Sequence, residues 1–451
     1  MTIKSQLAAM GLFDAKVPRY TSYPTAPHFA GGVTGAQFGD WVRSIAPGSA
    51  ISLYVHVPFC RRLCWFCACR TQGTKSDAPV IAYLKTLRAE LAMLKKALPR
   101  DVRLARLHWG GGTPTLLTPA MITDLAGAIA EVTPFARDAE FSVEIDPGEI
   151  DGPRLDALGA AGMNRASIGV QDFDPKIQDC IGRLQSYDLT RDAVEGLRAR
   201  GITSLNADIL YGLPHQTGAR ITESVQKLLS LSPDRVALYG YAHVPWMSKR
   251  QQMIPSDALP TPQERLALYE TARDLFLWDG YAEIGIDHFA TRDDSMARAA
   301  EDGTLKRNFQ GYTVDPSDVL IGLGASSISR FPQGYAQNTA ATGLYTAAIR
   351  EGRFATARGH AFAGDDLLRG RMIEMLMCSF FVDTAALGRE FGLSRPRLNE
   401  LLAPVASAFP GVVTLDARGL HLSDEGRPLA RMVARALDAY EMDKAGHSAA
   451  I

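Results

Sequence analysis

The sequence lacks the marks of several broad protein classes. No apolar run approaches the ~18 residues that a membrane-spanning helix needs, so no span is expected. Charge of one sign is lacking too. Forty-eight Lys and Arg stand against 49 Asp and Glu, a net charge of −1, which removes any global electrostatic case for nucleic acid or an anionic membrane as partner. The first residues, MTIKSQLAAMGLFDAKVPRY, break their apolar stretches too early for a secretory signal, and the expected location is the cytoplasm. There is no repeat and no low-complexity tract. With 46% hydrophobic and 22% charged residues, the composition is that of an ordinary globular chain, which excludes disorder and fibrous structure. Cysteine is scarce, six in 451 residues, and its placement is the informative part.

Cys60, Cys64, Cys67 and Cys69 fall within ten residues, while Cys180 and Cys378 stand apart and read as buried thiols. Four neighbouring thiols in a large chain of a reducing compartment point to a metal or redox site rather than to disulfides. The spacing Cys60-x3-Cys64-x2-Cys67 puts three thiolates on one tight loop after a strand. Iron–sulfur clusters are held by Cys thiolates, usually four, and three leave one iron open to a small molecule. Cys69 points elsewhere if the chain is extended there. Structural zinc is the alternative, but it favours paired C-x-x-C spacings separated by a longer loop, which this crowding fits poorly.

The length is about three times the ~150-residue domain prior, although one barrel can absorb 250 residues or more. Six short apolar runs recur at 51–59, 103–109, 140–145, 165–170, 204–211 and 235–241, most followed by a loop and a helical pattern. Strand alternating with helix implies an α/β fold with a parallel sheet, and six units imply an incomplete (β/α)6 barrel. Polar residues collect at one end of these strands: the cysteine loop, the glycines of 110–115, Glu144, Gln171, Asp208, and Ala242 with His243. In parallel barrels those ends face a common mouth where chemistry is assembled. Three regions are expected: an N-terminal arm over 1–35, the barrel over 36–360, and an α-rich, winged-helix-like unit over 361–451. In the last, Met372, Met375 and Met377 read as helix core. VDTAALGREFGLSRPRLNELL has helix-turn-helix cadence, yet residues 365–444, Lys444 included, carry ten Lys and Arg against twelve Asp and Glu. That balance lacks the basic footprint of a nucleic-acid binder, and the unit is expected to close one side of a substrate cavity.

The CxxxCxxC loop resembles that of the radical S-adenosylmethionine (SAM) enzymes. A longer ordered series, YTSYPTAPHF, SLYVHVPFCRRLCWFCAC, HWGGGTPT, VEIDP, SIGVQDF, ADILYGLPHQT, YAHVP, DHFA, RNFQGYT and GASSIS, resembles the oxygen-independent coproporphyrinogen III oxidases from residue 20 to about 330. RGRMIEMLMCSF extends the likeness into the C-terminal unit. The resemblance implies a [4Fe–4S] cluster on Cys60, Cys64 and Cys67, with SAM on the open iron. It further implies a 5′-deoxyadenosyl radical that takes hydrogen from two propionates of coproporphyrinogen III, each then losing CO2 to leave a vinyl group. The product would be protoporphyrinogen IX, in anaerobic heme biosynthesis. An electron donor and an acceptor are needed, and the family precedent is a monomer.

Residue roles follow by resemblance. Gly111, Gly112 and Thr113 meet the amino acid end of SAM, where glycines let the backbone approach closely. Glu144 belongs to the same site, and a carboxylate in so apolar a strand needs a partner. Gln171 and Asp208 suit ribose hydroxyls; as bare residues they would cap strand ends. Arg183 matches a SAM contact, and otherwise would be a solvated helix arginine. Tyr54 and Phe66 set aromatic faces beside the cofactor, or else are core. Ala242 and Ile328 match contacts to a second SAM, or else are packing, and Gln310 is a further candidate for the same pocket. Cys69 and Glu144 are the candidate catalytic residues. The CxC ending is kept, with Ala68 where Gly is commoner. Arg61, Arg62, Arg70, Lys16 and Arg19 are candidates for the four propionates. Two alternatives differ: a heme-chaperone paralogue, which lacks the last cysteine and carries HNxxYW in place of RNFQGYT, and a zinc-stabilised DNA-binding protein.

Overall fold

The computed structural model describes residues 3–441 and 448–451, so Lys444 lies outside the described residues. Six strands, β1 (Ala50–Val57), β2 (Arg103–Gly111), β3 (Phe135–Ile145), β4 (Arg165–Gln171), β5 (Ser204–Tyr211) and β6 (Arg235–Gly240), lie side by side in chain order and all parallel. Helices Ala78–Ala97, Pro119–Ala130, Gly152–Ala160, Tyr187–Arg198 and Gly218–Ser230 fall between them. Three of these helices begin where the sequence supplies a cap: Thr118, Ser186 and Thr217 accept from the backbone N–H three residues on, satisfying donors the helix leaves free. Tyr187–Arg198 then buries Thr190, Ala193, Val194 and Leu197, one face of a 3.6-residue period.

The strands alternate with period two. Leu107, Trp109, Phe141, Val143, Ala166, Ile168, Leu205 and Ala207 are buried. Between them, Arg106, His108, Glu140, Ser142, Glu144, Arg165, Ser167, Asn206 and Asp208 line a cavity on the other face. The inner surface is therefore polar, and its deep end is an ion-pair lattice. Glu140 takes Arg106 at 2.8 Å and Arg165 at 3.0 Å, and Asp294 takes Arg235 at 2.6 Å.

The sheet does not stop at six strands. Leu320–Leu323 runs parallel to β1 on its far side, followed by antiparallel Ile328–Phe331, Gly334–Asn338 and Thr356–Ala361. At the other edge His288–Ala290 adds antiparallel to β6, and Ala282–Ile284 adds antiparallel to His288–Ala290, giving a sheet of twelve. The six-strand expectation holds for the parallel β/α series and omits these flanks.

Residues 366–437 form a second core from four helices, Asp366–Ser379, Thr384–Phe391, Arg395–Ala408 and Ala430–Leu437, with a three-stranded antiparallel sheet. Leu7, Leu12, Val17, Tyr20 and Tyr23 pack into this core. Residues 448–451 run beside 15–17, with Ala450 N–H on Ala15 O at 2.8 Å. Met372 and Met377 are core, while Met375 is partly buried. Cys378 is buried as expected; Cys180 is only half-buried, a correction that follows from its place at the end of the short helix Pro175–Cys180.

Candidate active site

The cysteine loop leaves β1 through Phe59–Cys60, which pairs with Gln72–Gly73 and so closes the loop at its base. Cys60 and Cys64 are buried, Cys67 half-buried, and Cys69 open to the cavity. A segment far off in sequence clamps the loop from outside. Ser248 Oγ donates to Cys67 O at 3.1 Å, Arg250 to Cys69 O at 3.1 Å, and the amide of Gln251 to Phe66 O at 2.7 Å and Ala242 O at 3.0 Å. None of the three was singled out from the sequence, where they are a polar run with no signal of burial.

The sulfurs are electrostatically distinct. Burial pushes the Cys60 thiol up to about 11 despite a hydrogen bond with Thr113. Cys67 hydrogen-bonds the Cys69 thiol, takes the Cys69 N–H at 3.4 Å and feels Arg250, and together these outweigh burial and bring it down to about 6. The same contact drives Cys69 well up. Among the described residues no three His, Cys, Asp or Glu side chains close around a single ion. The donors fit a larger sulfur-ligated group instead: three thiols on one loop, with a buried guanidinium beside Cys64 whose Nε has no partner.

The cavity above β2–β5, about 470 Å³, gathers Tyr54, Cys69, Gly111, Glu144, Asp208, Gln310 and Ile328 from the expected residues. Glu144 Oε2 accepts the Gly111 N–H at 3.0 Å, and Oε1 lies 3.4 Å from His108 Nε2. Burial opposes its charge, but His108 and the Gly111 N–H prevail and hold its pKa below the usual carboxylate value. His108 stacks on Tyr54 with ring centroids 5.8 Å apart, and Tyr54 OH meets His56 Nδ1 at 3.0 Å. Both histidines were missed. The signal for His108 was the one that marked Glu144, a polar residue between buried Leu107 and Trp109. Burial raises Asp208 to about 6, though the Asn206 amide donates to it at 2.8 Å.

The glycines of 110–112 are required by the protein itself. A Cβ at Gly111, where φ is +107°, would lie 2.3 Å from His56 Nδ1, and one at Gly112 would lie 2.5 Å from Phe59 O. Gly112 and Thr113 continue β2 along the start of the cysteine loop, their N–H groups on Val57 O and Phe59 O.

Other expected residues stand behind this wall. Arg183 is not the solvated arginine of the bare reading. It is buried because Asp146 Oδ2 at 3.2 Å, Gly169 O at 2.9 Å and Cys64 Sγ at 3.5 Å take its donors. Gln171 ends β4 at φ +71°, its amide beside Gly169. Phe66 packs with Ile177, Ile181 and Tyr241, and Ala242 lines a neighbouring cavity. Of the basic candidates, Arg61 is taken by Asp77, Arg62 by Leu184 O at 3.2 Å, and Lys16 lies over Trp246. Arg70 borders the first cavity and Arg19 the second.

The radical SAM superfamily pattern matches residues 54–228, the span holding the cysteine loop, Glu144 and Asp208. The chain is 64% identical over 451 residues, all of both chains, to the oxygen-independent coproporphyrinogen III oxidase of Paracoccus denitrificans. The chain belongs to the oxygen-independent coproporphyrinogen III oxidase family. A second family member, from Cereibacter sphaeroides, is 60% identical over 98% of each chain. The solved coproporphyrinogen III oxidase of Escherichia coli, described as a radical SAM enzyme, superposes at a TM-score of 0.89 with 36% identity, covering 95% of this chain and all of that one. Radical SAM membership brings with it a [4Fe–4S] cluster and SAM. No helix among the described residues is long and apolar enough to cross a membrane.

Proposed function

We propose that the chain converts coproporphyrinogen III to protoporphyrinogen IX by oxidative decarboxylation of two propionates, with Cys60, Cys64 and Cys67 holding the cluster. The observation that carries this reading is one cavity edge that joins Cys69, Glu144 and the Tyr54–His108 stack, with Cys67 against Cys69 on the loop behind it, in a chain whose relatives bear that activity along their whole length. When bound, the cluster and SAM supply a carbon-centred radical able to take hydrogen from an unactivated side chain.

The chain's own residues do the rest. Glu144, charged and oriented by Gly111 N–H and His108, accepts from the ammonium of SAM. Gly111 lets the backbone lie close to that end of the ligand. Asp208 and Gln171 accept from ribose hydroxyls, and Tyr54 and Phe66 offer aromatic faces to the sulfonium and adenine. Arg183 sets positive charge behind Cys64. Gln310 and Ile328 share the cavity with Tyr54 and are the residues for a second SAM there, with Ala242 in the neighbouring cavity. Cys69, open to the cavity, is a candidate for proton or hydrogen delivery. The enzyme works as a cytoplasmic monomer with an external electron donor and acceptor, and engages neither nucleic acid nor membrane.

Anaerobic incubation with coproporphyrinogen III, SAM and dithionite tests this. Protoporphyrinogen IX with two CO2 per porphyrinogen is expected. Heme binding without turnover would favour the heme-chaperone reading instead.

A further inference from the structure

A second cavity, about 520 Å³ and within the size range of small-molecule sites, lies between the end of β6 and the C-terminal unit. It adjoins the first: Tyr239 and His288 line one, and their neighbours Gly240 and Asp287 line the other. Several of its charges are matched. Arg273 and Arg427 both reach Glu283, at 2.9 and 2.7 Å, and Arg307 faces Asp287 at 3.8 Å.

Three further guanidinium groups have no Asp or Glu partner. Among the described residues, no Asp or Glu side chain lies within 4.0 Å of Arg19, Arg265 or Arg431; Arg19 and Arg431 donate mainly to backbone carbonyls, and Arg265 to Tyr241 O and an oxygen of Ile451, the last residue of the sequence. Arg19 donates to Gly240 O at 2.9 Å, Arg265 to Ile451 O and Tyr241 O, and Arg431 to Pro18 O, Ala449 O and Ala450 O. Arg19 also repels the other two. Burial first, and Arg19 next, lower both Arg265 and Arg431, the latter to about 9. Arg265 and Arg431 are half-buried and Arg19 is exposed beside them, so excess positive charge faces one cavity and favours an anion there, and guanidinium is the group best shaped to take a carboxylate at two points.

We infer that Arg19, Arg265 and Arg431 form a carboxylate subsite for propionates of the porphyrinogen, holding the macrocycle while another side chain enters the adjoining cavity. This rests on the proposed function. It assigns the propionates to residues from three distant parts of the sequence, and not to Arg61, which Asp77 takes, nor to Arg62 or Lys16, which line neither cavity. The competing account is that the arginines only tie residues 15–18 and 448–451 to the barrel.

The test is fluorescence titration of the anaerobic holoenzyme with coproporphyrin III, which keeps the four propionates, and with its tetramethyl ester, which masks them. The wild type binds the acid at least tenfold more tightly than the ester, and more weakly as salt rises. Arg19→Gln, which gives up one carbonyl contact, and Arg265→Gln each lose at least tenfold for the acid and leave ester binding unchanged. Arg19→Gln remains informative even if Arg265→Gln fails to fold. Variants that bind the acid like wild type, or that lose acid and ester alike, overturn the subsite. A wild type that binds neither ligand contradicts the functional reading itself.

Discussion

Arg183 sets one Nη1 3.5 Å from Cys64 Sγ and 3.2 Å from Asp146 Oδ2, so a single buried guanidinium couples the cysteine loop to the end of β3. Its charge favours the more reduced, more negative state of a thiolate-bound cluster. Arg183→Gln is expected to lower the cluster's midpoint potential by about 60 mV, the one-electron equivalent of a tenfold shift. A redox titration followed by electron paramagnetic resonance measures it; an unchanged potential would separate Arg183 from the cluster.

Gly111→Ala should weaken SAM binding without unfolding the chain. The added Cβ must displace His56 from its contact with Tyr54 and disturb the N–H that Glu144 accepts. A loss of one such charge-assisted bond is worth roughly 1.5–3 kcal/mol, or more than tenfold in the dissociation constant by calorimetry. Wild-type affinity would show that the loop's shape is irrelevant to the ligand.

Glu90 lies buried under the edge of the sheet, bonded to Tyr345 OH, Asn338 Nδ2 and Gly324 N–H. Burial outweighs these three donors and raises its pKa from 4.5 to about 7. The folded state thus binds the proton more tightly, so this contribution to stability is full below pH 4.5 and lost as pH rises through about 7. Between pH 5 and 8, Glu90→Gln should gain on wild type by roughly 3 kcal/mol at most, read from urea unfolding at the two pH values. A constant difference would contradict the assignment.

Glu140 shows the opposite sign. Burial would raise it, but Arg165, Arg106 and Arg235 prevail and hold it at about 2. Its contribution is present above pH 4.5 and disappears as pH falls toward 2. Glu140→Gln leaves Arg165 enclosed without its nearest counter-charge, and should cost about 3–5 kcal/mol of stability at pH 7. A thermal shift of a degree or less would show that the lattice relaxes freely.

The parallel strands were legible because one face of each is packed under helices, which writes Val, Ile and Leu into the sequence at alternate positions. β3 begins at Phe135, five residues before its apolar run, because Phe135 pairs with Leu104 ahead of a break in register that ends at Glu140, and an irregular stretch of that kind leaves no alternating pattern. Leu320–Leu323, the other neighbour of β1, is four residues long and carries Gly322, too little for a periodic signal. Cys60, Cys64, Cys67 and Glu144 announced themselves by chemistry. Arg183, Arg250 and Gln251 did not, since nothing in a single charged or amide residue says that distant segments will enclose it. The sharing of one core by Leu12, Tyr23 and Val433 is likewise a long-range fact that local pattern cannot carry.

The most direct test is the release of 5′-deoxyadenosine by reconstituted protein under strict anaerobiosis, with SAM, dithionite and coproporphyrinogen III, in wild type and Cys64→Ser. The wild type should form 5′-deoxyadenosine together with protoporphyrinogen IX, and Cys64→Ser should form neither. Full release by Cys64→Ser, or porphyrinogen conversion without SAM, would contradict the account.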